Sequence, residues 1–191
     1  VKVNGYQETN VPGLYAIGDI TTTPALAHVA SHEGIVAAER VAKQPTHPVN
    51  YNAIPSCTYC HPEVASVGMS EAQARAAGRQ VRIGKFPFTA NSKAGILGEG
   101  DGFVKAVTDA ATGEILGVHI IGVRATEQIA ESGVARHFEA SALELAEVVH
   151  APDRKSELGG SGRFGLTVFQ GQRRLAVLLG LFNKADRAAE E

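Results

Sequence analysis

Two alternating apolar segments separated by a single polar turn constrain this chain more than anything else in it. Phe103 to Thr108 and Ile115 to Ile121 flank Asp109-Ala110-Ala111-Thr112-Gly113-Glu114, a run of turn-forming and polar residues. A connection that short joins antiparallel strands, because a parallel pair needs a crossover of about a dozen residues or more. Val81 to Phe86 reads as a further strand, and Ser56 to Val67 as one or two more. Helical spacing takes over only later, in Ala125 to Phe138 and, capped by Ser141, in Ala142 to Val149. Strands followed by helices predict an α+β fold, a mixed antiparallel sheet layered with helices.

Punctuation elsewhere divides the chain. Ser70-Glu71-Ala72-Gln73 is a capping-box pattern that opens a short helix, and Gly78 closes it. Near the start, Val11-Pro12-Gly13-Leu14-Tyr15-Ala16-Ile17-Gly18-Asp19 predicts a turn feeding a short buried strand that stops at Gly-Asp. A helix is expected next, with Thr23 as N-cap and Pro24 in the first position. Leu26, Val29, Ala30, Ile35, Val36 and Ala37 carry it to about Val41. Gln44 to Asn50 holds two prolines and little apolar periodicity, as a linker does. The expected organisation is a strand-loop-helix segment over residues 1–45, an α+β domain over 46–157 and a tail over 158–191. The tail opens with Gly159-Gly160-Ser161-Gly162 and is expected to form a loop and an apolar helix.

Charge and cysteine usage narrow the class. Twenty acidic and eighteen basic residues leave a formal charge of -2, which gives no field to draw the chain to nucleic acid or an anionic membrane. The strongly apolar run Leu175 to Phe182 is far shorter than the roughly 20 residues that span a bilayer. The sequence starts at Val1 without Met or a signal pattern, as an excised piece would. Two cysteines are too few for a secreted disulfide framework and point to a reducing, cytoplasmic setting. Cys57 and Cys60 have the C-x-x-C spacing of a redox pair or half a zinc site, but no second pair completes four ligands. Incidental thiols are the plainer reading.

The candidate chemistry sits at Gly18-Asp19. A carboxylate just ahead of a helix N-terminus suits a polyhydroxyl or anionic ligand, since the side chain accepts from hydroxyls while the helix end favours negative charge. Gly-Asp alone is equally the wording of an ordinary turn. His28 and His32 stand four apart on the expected helix, a spacing that can bind metal, but no third ligand is evident and no metal site is assigned. His61 and His119 fit packing or hydrogen-bonding roles.

Several segments together carry a family resemblance. Asn10-Val11-Pro12-Gly13-Leu14-Tyr15-Ala16-Ile17-Gly18-Asp19, followed by Leu26-Ala27-His28 and Glu33-Gly34, resembles the second flavin-contacting segment of the pyridine nucleotide-disulfide oxidoreductases. Cys60-His61-Pro62-Glu63-Val64-Ala65-Ser66-Val67-Gly68, Lys85-Phe86-Pro87-Phe88 and Gly113-Glu114-Ile115-Leu116-Gly117-Val118-His119-Ile120-Ile121-Gly122 resemble the dimerisation domain of that family, in its dihydrolipoamide dehydrogenase branch. The resemblance runs to about Glu157. It implies that residues 1–45 end an FAD-binding domain and that residues 46–157 are a dimerisation domain. FAD is then the cofactor of the full-length family member, held in part through Gly18, Asp19, Leu26, Ala27 and His28, with weak or no binding expected of this chain alone, and NAD is the co-substrate. The partners implied are a second copy of the chain and the lipoyl-bearing components of 2-oxo acid dehydrogenase complexes.

The sequence also departs from the family. It holds neither a G-x-G-x-x-G nucleotide fingerprint nor a C-x-x-x-x-C redox pair. Where the family reads His-Ala-His-Pro-Thr, one apolar residue and Ser-Glu, this chain reads His150-Ala151-Pro152-Asp153-Arg154-Lys155-Ser156-Glu157. Pro152 stands in the place of the proton-shuttling histidine, and proline has no titratable group. Glu157 and, less directly, His150 are what remain of an acid-base site. The expectation is therefore a C-terminal fragment of an FAD-dependent dihydrolipoamide dehydrogenase, inactive alone. A non-catalytic dimerisation or binding module, or a fragment of a mercuric or glutathione reductase, is the alternative.

Overall fold

The computed structural model describes residues 1–148, 163–171 and 174–182. It separates into two compact units, Val1–Ile54 and Pro55–Glu191.

In the first unit the dominant element is helix α1, Ala27–Val41. Its inward stripe is Val29, Glu33 and Val36, all buried at the helical spacing of four and three. The helix starts later than the sequence suggests. Leu26 is the N-cap and provides no side-chain cap. Thr23 is engaged elsewhere, its hydroxyl 2.6 Å from that of Thr21, while the Pro24 carbonyl accepts from the Leu26 N–H at 2.8 Å. The strand expected ahead of Gly18-Asp19 is likewise reduced to an extended segment with one isolated antiparallel bridge, Glu8 to Tyr15. The reason lies in pairing: a buried strand needs a ladder, and here the Thr9 N–H to Leu14 O and Ala16 N–H to Gln7 O bonds close a small loop on itself.

The second unit is built on a five-stranded antiparallel sheet in the order β1-β2-β5-β4-β3. Its strands are β1 Ser56–Thr58, β2 Glu63–Gly68, β3 Val81–Pro87, β4 Phe103–Asp109 and β5 Ile115–Gly122. The β4-β5 hairpin is the predicted one. Asp109 turns it, its Oδ1 accepting from the N–H groups of Ala111 and Thr112 at 2.9 and 3.1 Å. Those two donors hold its carboxyl below the usual aspartate range.

Each face of the sheet is covered. Helices α4, Ala125–His137, and α5, Ala142–Glu147, press Ala125, Ile129, Ala135, Ala142 and Leu145 onto Ala65, Val67, Val104, Ala106, Val118 and Ile120. On the other side helix α2, Glu71–Ala76, buries Ala74 against Val107 and Leu116. An irregularity between Val107 and Thr108 breaks the simple alternation along β5, so that Ile115 and Val118, three residues apart, both join the first cluster while Leu116 joins the second. The predicted capping box of Ser70 with Gln73 is present, and the predicted cap Ser141 forms a second box with Glu144. Gly78, at φ 76°, ends α2 as expected.

Two elements were not legible beforehand. Helix α3, Ser92–Leu97, follows buried Asn91, whose Oδ1 accepts from the Ala94 N–H at 3.0 Å. In the tail, an apolar helix is replaced by an antiparallel pair, β6 Arg163–Gly171 and β7 Arg174–Phe182. Gly165, Gly171 and Gly180 weaken a helix there, and Thr167, Val168, Phe169 and Val177 favour extended backbone. Among the described residues no helix is long and apolar enough to cross a membrane.

Candidate functional site

Gly18, Asp19 and Ile20 form a single 3-10 turn between the Glu8–Tyr15 loop and α1. Gly18 is buried with φ 68°, in the left-handed region that glycine adopts without strain. A Cβ there would meet the Ala30 side chain at 3.3 Å, so the turn lies close against the first turns of α1. The Gly18 carbonyl accepts from both the N–H and the hydroxyl of Thr21, at 2.9 and 2.8 Å. Asp19, one residue on, is exposed, and none of the described residues pairs with its carboxyl.

The amide of Gly18 is satisfied by a side chain. It donates to Glu33 Oε2 at 2.7 Å, and Tyr51 Oη donates to Glu33 Oε1 at 2.8 Å. Gln7 Nε2 in turn donates to Tyr51 Oη at 3.0 Å. Glu33 and Gln7 are completely buried. Burial, and then the bond to Glu33, push the Tyr51 hydroxyl above its ordinary pKa. Within the network Gln7 Oε1 is buried with no hydrogen-bond partner.

The expected ligand residues thus fall in two places. Gly18 and Asp19 form the turn, and Leu26, Ala27 and His28 are the N-cap and first two residues of α1. His150, Pro152 and Glu157 lie outside the described residues. Sequence reading overlooked Gln7 and Tyr51, and met Glu33 only as wording in a motif. A usable signal was present: Glu33 stands on the apolar stripe of α1, where a carboxyl has to find buried donors.

In the second unit, Cys57 is half-buried and Cys60 exposed, both as free thiols. Burial, and then the nearby Glu63 carboxyl, raise the Cys57 pKa, so this thiol resists ionisation. Cys60 Sγ donates to the Pro62 carbonyl at 3.1 Å. His119 Nε2 is hydrogen-bonded to the Met69 carbonyl at 3.1 Å, a structural contact that ties β5 to the residue after β2. Among the described residues no group of three His, Cys, Asp or Glu is placed to hold a metal ion. Large apolar side chains are left exposed on this unit, Tyr59 and Phe138 foremost at 84% and 75%.

Comparison with known proteins fits this geometry. The family profile described as the pyridine nucleotide-disulphide oxidoreductase dimerisation domain matches residues 54–157. Dihydrolipoyl dehydrogenase of Rhizobium etli is 47% identical over 158 residues, covering 82% of this chain and 33% of the relative. The mitochondrial dihydrolipoyl dehydrogenase of Schizosaccharomyces pombe is 50% identical over 157 residues, covering 82% of this chain and 30% of the relative. Among solved structures, LpdA of Mycobacterium tuberculosis superposes with a TM-score of 0.74 at 27% identity, over 78% of this chain and 33% of that one. The HOCl-induced flavoprotein disulfide reductase RclA of Escherichia coli shares the fold, with a TM-score of 0.70 at 19% identity over 82% of this chain and 36% of that one. The chain spans about a third of the length of the curated relatives it matches. With the profile covering more than half of its residues, this chain belongs to the pyridine nucleotide-disulphide oxidoreductase family and carries the dimerisation domain of that family.

Proposed function

We propose that this chain is the C-terminal part of an FAD-dependent dihydrolipoyl dehydrogenase. In this reading residues 1–45 end the FAD domain, residues 46–157 form a homodimer interface, and residues 158–191 are a divergent tail. The observation that carries it is identity of about one half to dihydrolipoyl dehydrogenases over 157 to 158 residues, 82% of this chain.

The residues present suit the cofactor. Asp19 offers an exposed carboxyl with no partner among the described residues, on a turn whose backbone is fixed from behind by Glu33. It would accept from a ribityl hydroxyl, and the start of α1 at Leu26, Ala27 and His28 would set the positive end of a 15-residue helix toward the electron-rich edge of the ring. FAD, when bound, supplies the two-electron chemistry between a dithiol and NAD. Lipoyl groups of 2-oxo acid dehydrogenase complexes are the proposed substrates, and the cytoplasm, which suits two free thiols, the proposed compartment.

Pro152 favours a second reading, a dimerisation module without catalysis. Residues 1–157 grafted in place of the corresponding segment of the Rhizobium etli enzyme separate the two. The first reading expects a dimer with stoichiometric flavin absorbance. Turnover should be lowered by about two to four orders of magnitude and restored by Pro152→His. A chimera that dimerises but retains no FAD overturns the first reading in favour of the module.

A further inference from the structure

We propose that Glu33 and Tyr51 are positioning residues for the Gly18-Asp19 turn, fixing from inside the first unit the carboxyl that Asp19 presents to its ligand. The inference rests on the cofactor reading only for the identity of that ligand.

Four segments distant in sequence join in one hydrogen-bonded chain around the Glu33 carboxyl. Gln7 comes from the opening loop, Gly18 from the turn, Glu33 from the inner face of α1 and Tyr51 from the 3-10 turn Tyr51–Ala53 after the linker. Their bonds run in one sense: Gln7 donates to Tyr51, Tyr51 to Glu33, and the Gly18 amide reaches Glu33 from the other side. A stable core does not call for this arrangement. Position 33 lies between buried Val29 and Val36, where an apolar side chain would continue the stripe. A completely buried carboxyl costs free energy that only good donors offset, and Glu33 has two, at 2.7 and 2.8 Å.

What the network gains is direction. The Gly18 amide and the Gly18 left-handed φ together fix the peptide that leads into Asp19. Binding geometry of that kind loses effect when misplaced by about 1 Å. Glu33 touches the turn itself, whereas Tyr51 acts through Glu33. Because Tyr51 directly follows the linker, release of that segment would free one oxygen of Glu33 and with it the turn. The Glu33→Gln variant should preserve the arrangement. Its carbonyl still accepts from Gly18, its amide donates to Tyr51, and a flipped Gln7 offers the unpartnered Oε1 to the tyrosine proton.

The test is residue-resolved amide hydrogen exchange on the whole isotope-labelled chain, with thermal melting as a folding control and FAD titration of the Rhizobium etli chimera alongside. Tyr51→Phe and Glu33→Leu should speed exchange at Gly18 by about tenfold or more while Val29 and Val36 keep their protection, and Glu33→Gln should restore the slow rate. Wild-type exchange at Gly18 in Tyr51→Phe overturns the proposal. So does a loss of protection spread equally over Val29 and Val36, which would make the network merely structural. Tyr51→Phe, the milder change, keeps the test available where Glu33→Leu fails to fold. In the titration, Asp19→Ala and Tyr51→Phe should each weaken FAD, and the double variant no more than Asp19→Ala. FAD binding indifferent to Asp19→Ala sinks the cofactor reading, and the exchange rates then decide the positioning role by themselves.

Discussion

Glu63 on β2 and Thr126 in the first turn of α4 are joined twice through one oxygen: Glu63 Oε2 accepts from the Thr126 N–H at 3.0 Å and from its hydroxyl at 2.7 Å. Helix α4 needs such a partner, because Arg124 at its N-cap sits at φ 51° and gives no side-chain cap. A strand carboxylate therefore does the work of a capping residue and ties the helix to the sheet it covers.

Those two bonds hold the Glu63 carboxyl below the usual glutamate range. A folded-state pKa lower than the unfolded one means stabilisation that is complete above the unfolded value and lost as pH falls through the folded one. Glu63→Gln should cost about 1–2 kcal/mol at neutral pH, and the gap to wild type should close as pH drops below about 4. Urea melts at several pH values check this, and a gap independent of pH would assign the loss to packing.

Gly117 is required by close approach. A Cβ on it would stand 2.8 Å from the Met69 nitrogen and collide with the Met69 carbonyl oxygen. Met69 cannot retreat, since its N–H donates to Leu116 O at 2.8 Å and its carbonyl is held by His119. Gly117→Ala should destabilise the second unit by about 1–3 kcal/mol, lowering its melting temperature. An unchanged melt would show that β2 and β5 slide apart freely at that point.

The thiols should separate by reactivity. Cys60 is exposed, while Cys57 is half-buried and its pKa is raised by burial and by Glu63. Under a limiting disulfide reagent near neutral pH, Cys60 should label first, and Glu63→Gln should quicken Cys57. Equal rates at both positions would contradict this picture.

The sheet was readable from sequence because its strands announce themselves twice, by alternation and by the turn chemistry of Asp109 and Gly113. The Ser70–Gln73 capping box and the Ser141 cap were readable for the same reason, a local rule satisfied by local residues. What escaped were features made by distant partners. The start of α1 was misplaced because Thr23 pairs with Thr21 instead of capping the helix. The hairpin of β6 and β7 stands where the sequence suggests a loop and an apolar helix, because an apolar run as short as Leu175 to Phe182 carries no decisive period. At the candidate site, Asp19 was legible as a carboxylate before a helix. Its anchor was not, since Gln7, Glu33 and Tyr51 meet only once the chain has folded.

Self-association is the last expectation. Val134 and Phe138 stand four residues apart at the outer side of α4, exposed to 59% and 75%. Large apolar groups presented together in this way mark contact surfaces, and an aromatic at the centre of a patch commonly carries much of the binding energy. The domain is of a dimerisation family, so the face is expected to meet a second copy of the chain. Phe138→Asp should weaken dimerisation by about tenfold or more in sedimentation equilibrium, with Val134→Asp acting in the same direction. Because both side chains are exposed, neither change should lower the melting temperature of the monomer. Ile35→Asp, an equally exposed apolar position in the first unit at 54%, serves as the control and should weaken association less. A dimer untouched by Phe138→Asp and Val134→Asp would place the interface on another face of the sheet domain.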